Sequence, residues 1–171
     1  MRKGLAGIVF ALAWLLVSCG FQPLHGQDAP GSAGTSARLS QVQVPPIGDR
    51  VGQLVRNRLL DYFEPPGRNV PALYRLEVDV VERKEGLAIQ DDRTVTRYNL
   101  RLQSRYRLVQ IRSGKELMSG RAGAIAAYNV IRSDYANLIA ERDALARAAQ
   151  EIGDAVGLRV AVFLQPQGRR Q

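Results

Sequence analysis

The chain holds one cysteine, Cys19, and one histidine, His25, and this pair limits its chemistry. A nucleophilic thiolate needs a base or positive charge beside it. His25 follows six residues later in a stretch with no regular pattern, so a catalytic pair is not expected. One cysteine cannot close a disulfide within the chain, and a zinc site built from several Cys and His ligands is excluded. Asp91 and Asp92 are adjacent acids with no histidine near them, the pattern of a solvated turn rather than of an acid–base or metal pair. There is no Gly-rich phosphate loop and no G-x-S-x-G. The sequence therefore points away from an enzyme and calls for no metal or cofactor. What remains is arginine. Arg97, Arg101, Arg105 and Arg107 fall on one side of an alternating segment, roughly 7 Å apart for each two-residue step. Guanidinium groups pair bidentately with phosphate and carboxylate, so this row is the candidate contact for an anionic ligand or an acidic protein surface. An ordinary solvated strand face is the competing reading.

The setting of Cys19 suggests a different use for its thiol. Met1-Arg2-Lys3 precedes an uncharged run from Leu5 to Val17, and Leu16-Val17-Ser18 leads into Cys19. A positive start, a short apolar stretch and small residues at the end have the layout of a secretory signal. The run is about 13 residues, whereas a membrane-spanning helix needs about 20. The order Leu-x-Ser-Cys resembles the bacterial lipobox, in which the cysteine is acylated and becomes the new N-terminus. The alternative is a free thiol behaving as a small hydrophobe. Cleavage before Cys19 removes 18 of 171 residues, Arg2 and Lys3 among them, leaving 153 and lowering the formal charge from +8 to +6. That length suits one domain with a sizeable core. A basic exported protein points to anionic lipid or an acidic partner and away from nucleic acid.

These candidates must be held by a scaffold. Residues 1–18 read as signal and 19–37 as a lipidated start plus a tether rich in Gly, Ser and Ala. Residues 38–164 read as the folded domain and 165–171 as a polar tail. Leu39 to Val44 is a short strand candidate closed by Pro45-Pro46. Asp49 can cap a helix through Phe63, with Val51, Leu54, Val55, Leu59 and Tyr62 on one face, and Glu64-Pro65-Pro66-Gly67 ends it. Tyr74, Leu76, Val78 and Val80 alternate with charged residues as a half-buried strand, and Glu82 to Asp92 reads as a loop or a loose continuation. The clearest strand has Tyr98, Leu100, Leu102, Tyr106 and Leu108 on one face, with Ser104 among them, and the arginines on the other. Arg112-Ser113-Gly114-Lys115 reads as a hairpin turn. Met118 to Val130 is a strand whose small residues let a helix approach. Ser133 or Asp134 caps a long last helix with Tyr135, Leu138, Leu145, Ala149, Ile152, Val156, Val160 and Phe163 on its apolar face. Gly153 and Gly157 within it suggest a kink or close packing. Tyr62, Tyr98, Tyr106, Tyr128 and Tyr135 read as core residues with a hydroxyl at the rim. The expected fold is an α+β two-layer sandwich, a mostly antiparallel four-stranded sheet with two helices on one face, in the order β-α-β-β-β-α. The second face of the sheet is arginine-rich and open to water or a partner.

Several stretches carry a family resemblance: Leu16-Val17-Ser18-Cys19-Gly20-Phe21-Gln22-Pro23-Leu24, Pro45-Pro46-Ile47-Gly48-Asp49-Arg50, Gly86-Leu87-Ala88-Ile89-Gln90 with Thr94-Val95-Thr96-Arg97-Tyr98-Asn99-Leu100, Ala126-Ala127-Tyr128-Asn129-Val130, and Ser133-Asp134-Tyr135-Ala136. Their order, the lipobox and the layout resemble the LPS-assembly lipoprotein family LptE, also called RlpB. The resemblance implies an α/β sandwich anchored to the outer membrane of a Gram-negative bacterium. It also implies a partner, the β-barrel LptD, which the lipoprotein plugs and helps to assemble, and delivery of lipopolysaccharide to the outer leaflet. Under it, Cys19 is the lipidation site, and the arginine row is a candidate lipopolysaccharide or barrel contact. Gly20, rather than Asp, after the cysteine resembles outer-membrane sorting. Where other members present basic residues before the long strand, this chain has Asp91-Asp92-Arg93. Two other readings stand beside it: a tethered envelope hydrolase, and an auxiliary lipoprotein of another envelope lipid-transport system.

Overall fold

A computed structural model describes residues 37–63, 70–89 and 95–165. Cys19, His25, the stop at residues 64–67 and Asp91-Asp92 lie outside the described residues. The elements run β1 (Val42–Gln43), α1 (Asp49–Phe63), β2 (Tyr74–Ile89), β3 (Val95–Gln110), β4 (Glu116–Asn129) and α2 (Asp134–Leu164). They form one four-stranded sheet in the order β1-β2-β3-β4, with β1 parallel to β2 and the other pairs antiparallel. The two helices pack on each other and on a single face of the sheet. The fold is the expected α+β sandwich, and the sheet is mixed through its short first strand.

The core follows from alternation. On β3, Leu100, Leu102 and Leu108 are fully buried and Tyr106 nearly so, all on the helix side. Full burial stabilises each such leucine by roughly 1.5–3 kcal/mol over exposure. Ser104 sits in the same row and is buried; its hydroxyl donates to the Ala122 carbonyl at 3.3 Å. Opposite it, Ala122, Ala124 and Ala126 of β4 are buried, small enough for α2 to lie close to the sheet. Val51, Val55, Leu59 and Phe63 form the buried stripe of α1, while Leu54 and Tyr62 of the expected stripe are only partly buried. The β3–β4 turn places Gly114 at φ 66°, a left-handed conformation that glycine adopts without steric cost.

Three local expectations change, and at Glu82–Ile89 the strand continuation prevails over the loop. β1 spans two residues rather than Leu39 to Val44, because residues 37–39 are helical and the chain turns there, Gln41 N–H donating to the Arg38 carbonyl at 3.1 Å. Asp49 is the first residue of α1 and has φ 61°, so it turns the chain into the helix in the left-handed region. The stretch after Val80 is strand as far as Ile89. Its side chains lose the apolar rhythm, but the backbone stays paired to β3 throughout, with register shifts only near Gly86–Ile89. The apolar stripe of α2 starts late: Ala144, Ala148, Ala149, Ile152, Val156, Val160 and Leu164 are buried, whereas Tyr135 is 76% exposed and Leu138 and Phe163 are nearly half exposed. α1 meets α2 at Gly153 and Gly157, roughly five turns beyond Tyr135, and that meeting point explains why no second helix shelters the first turns. Ser133 is the cap, accepting from Ala136 N–H at 3.3 Å.

The helix–helix seam uses the two glycines by close packing. A Cβ on Gly153 would lie 2.6 Å from Cγ of Arg58, and one on Gly157 would lie 2.8 Å from Cδ2 of Tyr62. Arg58 and Tyr62 stand one helical turn apart and both reach Asp154: Arg58 Nε donates at 2.6 Å and Tyr62 Oη at 3.0 Å. The Asp154 hydrogen bond raises the Arg58 pKa. Burial, then the same carboxylate, raises that of Tyr62.

Candidate functional site

The uncovered face of the sheet is built by the odd-numbered residues of β2, β3 and β4. Cross-strand register sets them in rows: Glu77–Arg107–Ser119, Asp79–Arg105–Arg121, Val81–Gln103–Gly123, Arg83–Arg101–Ile125 and Glu85–Asn99–Ala127, with Arg97 beside Asn129. The four arginines singled out in the sequence do share this face, as strand alternation requires. They differ in their partners. Arg107 Nε bonds Glu77 at 2.6 Å, and Arg101 Nε lies 3.8 Å from a Glu85 oxygen. Neither Arg97 nor Arg105 forms an ion pair among the described residues.

Two further arginines belong to the site. Arg83 stands directly opposite Arg101, and Arg121 directly opposite Arg105. Like charges placed opposite each other destabilise a sheet, so each pair costs folding energy that an external anion would relieve. Arg75 is also on this face, 3.9 Å from Glu77. Seven arginines thus face four carboxylates (Glu77, Asp79, Glu85 and Glu116, the last opposite Val109), a net of three positive charges. The signal for Arg83 and Arg121 was the same two-residue alternation, but it pointed to this site only once register joined the strands. A shallow groove of about 490 Å³ runs between Glu77, Asp79, Arg105, Arg107, Glu116 and Arg121. Val81 and Ile125, each about half exposed, add apolar surface beside it. Such a face can hold phosphates or carboxylates by paired guanidinium contacts while an apolar portion rests on the aliphatic side chains.

A second polar cluster lies on the helix side, where the β2–β3 arm passes the start of α2. Lys84 Nζ bonds Glu141 at 2.6 Å and sits 4.6 Å from the Tyr98 ring centre and 5.4 Å from that of Tyr128. Tyr128 Oη donates to the same Glu141 oxygen at 2.8 Å, and the two rings stack with centres 5.7 Å apart. The hydrogen bond from Lys84 holds Glu141 below the usual carboxylate range despite partial burial. Burial pulls Lys84 down, but its bonds to Glu141 and Tyr128 outweigh that and raise it. Glu82 is pushed up by burial and by the charge of Glu141. This cluster is saturated with internal partners and reads as a clamp. Among the tyrosines expected at the core rim, Tyr106 and Tyr128 are buried and Tyr62 and Tyr98 partly so, while Tyr135 is out in solvent. Ile131, Tyr135, Leu138 and Ile139 form an exposed apolar stretch around the start of α2. Among the described residues no three potential metal ligands are gathered, and no described helix is long and apolar enough to cross a membrane.

Among solved structures, the chain is similar to a Caulobacter crescentus CB15 protein described as a candidate lipoprotein, with 28% identity and a TM-score of 0.63 over 77% of this chain and 96% of that one. The rare lipoprotein B of Shewanella oneidensis shares the fold at 15% identity and TM-score 0.53, covering 71% of this chain and 93% of that one. A minor lipoprotein of Acinetobacter baumannii does so at 13% identity and TM-score 0.53, covering 74% and 96%. No curated protein sequence matches significantly. Residues 39–160 match the family model described as LptE, Lipopolysaccharide-assembly, a span that takes in β1 through most of α2. The chain belongs to the LptE family of lipopolysaccharide-assembly lipoproteins.

Proposed function

We propose that this protein is an outer-membrane lipoprotein, acylated at Cys19 after removal of residues 1–18, that partners a large LptD-like β-barrel and assists delivery of lipopolysaccharide to the outer leaflet. It does so without catalysis, by anchoring, plugging and assisting assembly. The observation that carries the reading is the sheet face left bare among the described residues: one side of the sheet is roofed by helices, and the other presents seven arginines against four carboxylates. A strongly basic, uncovered face in a family devoted to lipopolysaccharide assembly suits a phosphate-bearing lipid or the acidic wall of a barrel. The exposed Ile131, Tyr135, Leu138 and Ile139 supply apolar contact for the same kind of partner. Co-purification tests the reading. Tagged protein extracted from membranes in mild detergent is expected to bring down one large β-barrel in near-stoichiometric amount; recovery without any barrel would end the proposal.

A further inference from the structure

The two long strands that border the sheet are defended very differently. β2 pairs with β1 only at Tyr74 and Arg75, and its remaining edge carries Glu82, Arg83, Lys84 and Glu85 before the register shifts near Gly86. Charges and irregularity of this kind keep other strands from adding to an edge. β4 has neither. From Ala122 to Asn129 it reads Ala-Gly-Ala-Ile-Ala-Ala-Tyr-Asn, without charge or proline, and its register to β3 is unbroken there.

The register also fixes which backbone groups are free. Val130 N–H donates to the Thr96 carbonyl at 2.9 Å, so this opposed pair is a hydrogen-bonded one. Hydrogen-bonded and non-bonded pairs alternate along an antiparallel ladder. The even-numbered residues of β4 therefore bond β3, and the N–H and C=O groups of Gly123, Ile125 and Ala127 point outward from the sheet. Gly123 and Ile125 are exposed and Ala127 is half-buried. At one end, Arg159 donates to the Arg121 carbonyl at 2.9 Å and closes the ladder there.

We propose that the Gly123–Ala127 edge of β4 is a docking site for an extended segment of the barrel partner, added antiparallel as a fifth strand. The inference rests on the partner named above. Three outward residues offer about six backbone bonds. Charge selects the occupant: the added strand would lie next to Arg121, with Arg105 and Arg101 one strand further in on the same face, so it carries an acidic side chain opposite Arg121 and small or β-branched residues opposite Gly123 and Ile125. A second copy of this chain fits poorly, because pairing two β4 edges would join two faces that each bear three net positive charges.

A proline at an outward-facing edge position removes a donor that the domain itself does not use. Full-length Ile125→Pro is expected to keep the wild-type melting temperature within a few degrees and to capture at least tenfold less barrel in the detergent pull-down. Ile125→Val is expected to capture as wild type. Ile125→Lys, which leaves every backbone group in place, also loses capture and stands in if the proline variant fails to fold. A photo-crosslinker at position 125 is expected to join a single extended stretch of the barrel. Wild-type capture by both Ile125→Pro and Ile125→Lys overturns the edge inference while leaving the proposed function standing. Absence of barrel in the wild-type arm overturns both. A purified wild-type dimer that becomes monomeric in Ile125→Pro would assign the edge to self-association and overturn the choice of partner.

Discussion

Reversing Arg101 and Arg105 together, as Arg101→Glu/Arg105→Glu, separates the function of the sheet face from its stability. The change takes the face from three net positive charges to one net negative. Its folding cost is small because the register balances it. At position 101 the new carboxylate would lose the 3.8 Å approach to Glu85 but face Arg83, and at position 105 it would face Arg121 but repel Asp79. Each exposed cross-strand charge pair is worth roughly 0.2–1 kcal/mol, so gains and losses cancel to within about 1 kcal/mol. Binding has no such cancellation. A basic side chain close to an anionic surface contributes about 1 kcal/mol, and two reversals shift four charge units, so about 2–4 kcal/mol of attraction is lost. At 1.4 kcal/mol per decade that is roughly 30- to 700-fold in affinity. Two assays read it: lipopolysaccharide binding by the purified protein at low and at raised salt, and barrel recovery in the pull-down. The wild-type signal is expected to weaken with salt and the double variant to be weak at both. An intact, well-folded double variant with unchanged lipopolysaccharide binding and unchanged barrel recovery would refute the electrostatic reading and return the arginines to ordinary solvated charge.

Other outcomes follow from particular contacts. Gly157→Ala gains up to about 1 kcal/mol of helix propensity, yet its Cβ would meet the base of the Tyr62 ring at 2.8–2.9 Å; overpacking of about 1–3 kcal/mol wins, and calorimetry should show a lower Tm, while Gly48→Ala, with open space around it, should show none from crowding. Glu141 has a folded-state pKa below its unfolded one, so its contribution is present above the ordinary carboxylate pKa and is lost as pH falls through the depressed value. Glu141→Gln should therefore lower Tm at pH 7, by an amount set by roughly 0.5–1 kcal/mol for a pair about one-third exposed, and the difference should vanish in acid; a Tm gap that persists at low pH would contradict the ion-pair account. Glu82 has the opposite sign, its raised pKa costing stability as pH rises through it, so Glu82→Gln should stabilise at neutral pH. Cys19→Ala carried to the periplasm by another signal distinguishes two roles for the acyl group: full complex formation makes the anchor a delivery device, and lost assembly makes it structural.

The layout of the domain was readable because its strongest rhythms are local. Leu100, Leu102, Tyr106 and Leu108 alternate with arginines, and a strand explains both sets at once. What failed locally failed for non-local reasons. Glu82 to Ile89 lacks apolar alternation, and only the length of β3 reveals it as strand. Tyr135 and Leu138 continue the α2 spacing, but where α1 meets α2 is not written in that spacing. The arginine row was visible on β3 alone; Arg83 and Arg121 join it through register, and the undefended β4 edge exists only once the strand order is known. The readings of Cys19 and the tether rest on residues that lie outside those described.

The seam between α1 and α2 has a temporal consequence. Arg58 and Asp154 are 96 residues apart, whereas β2, β3 and β4 follow one another through short connections. Closing a distant contact must wait for the chain that carries it. As the polypeptide is made, the meander can zip together while Asp154 is still missing, leaving Leu100, Leu102 and Leu108 without α2 above them. A chain at that stage has an apolar sheet only partly covered, by α1 alone, and is open to holdase chaperones and to misassociation. A chain truncated before Asp134 should populate that stage permanently, bind a hydrophobic dye and aggregate, and regain solubility when the α2 peptide is supplied in trans; a soluble, dye-silent truncation would show that the helical layer is not the last step.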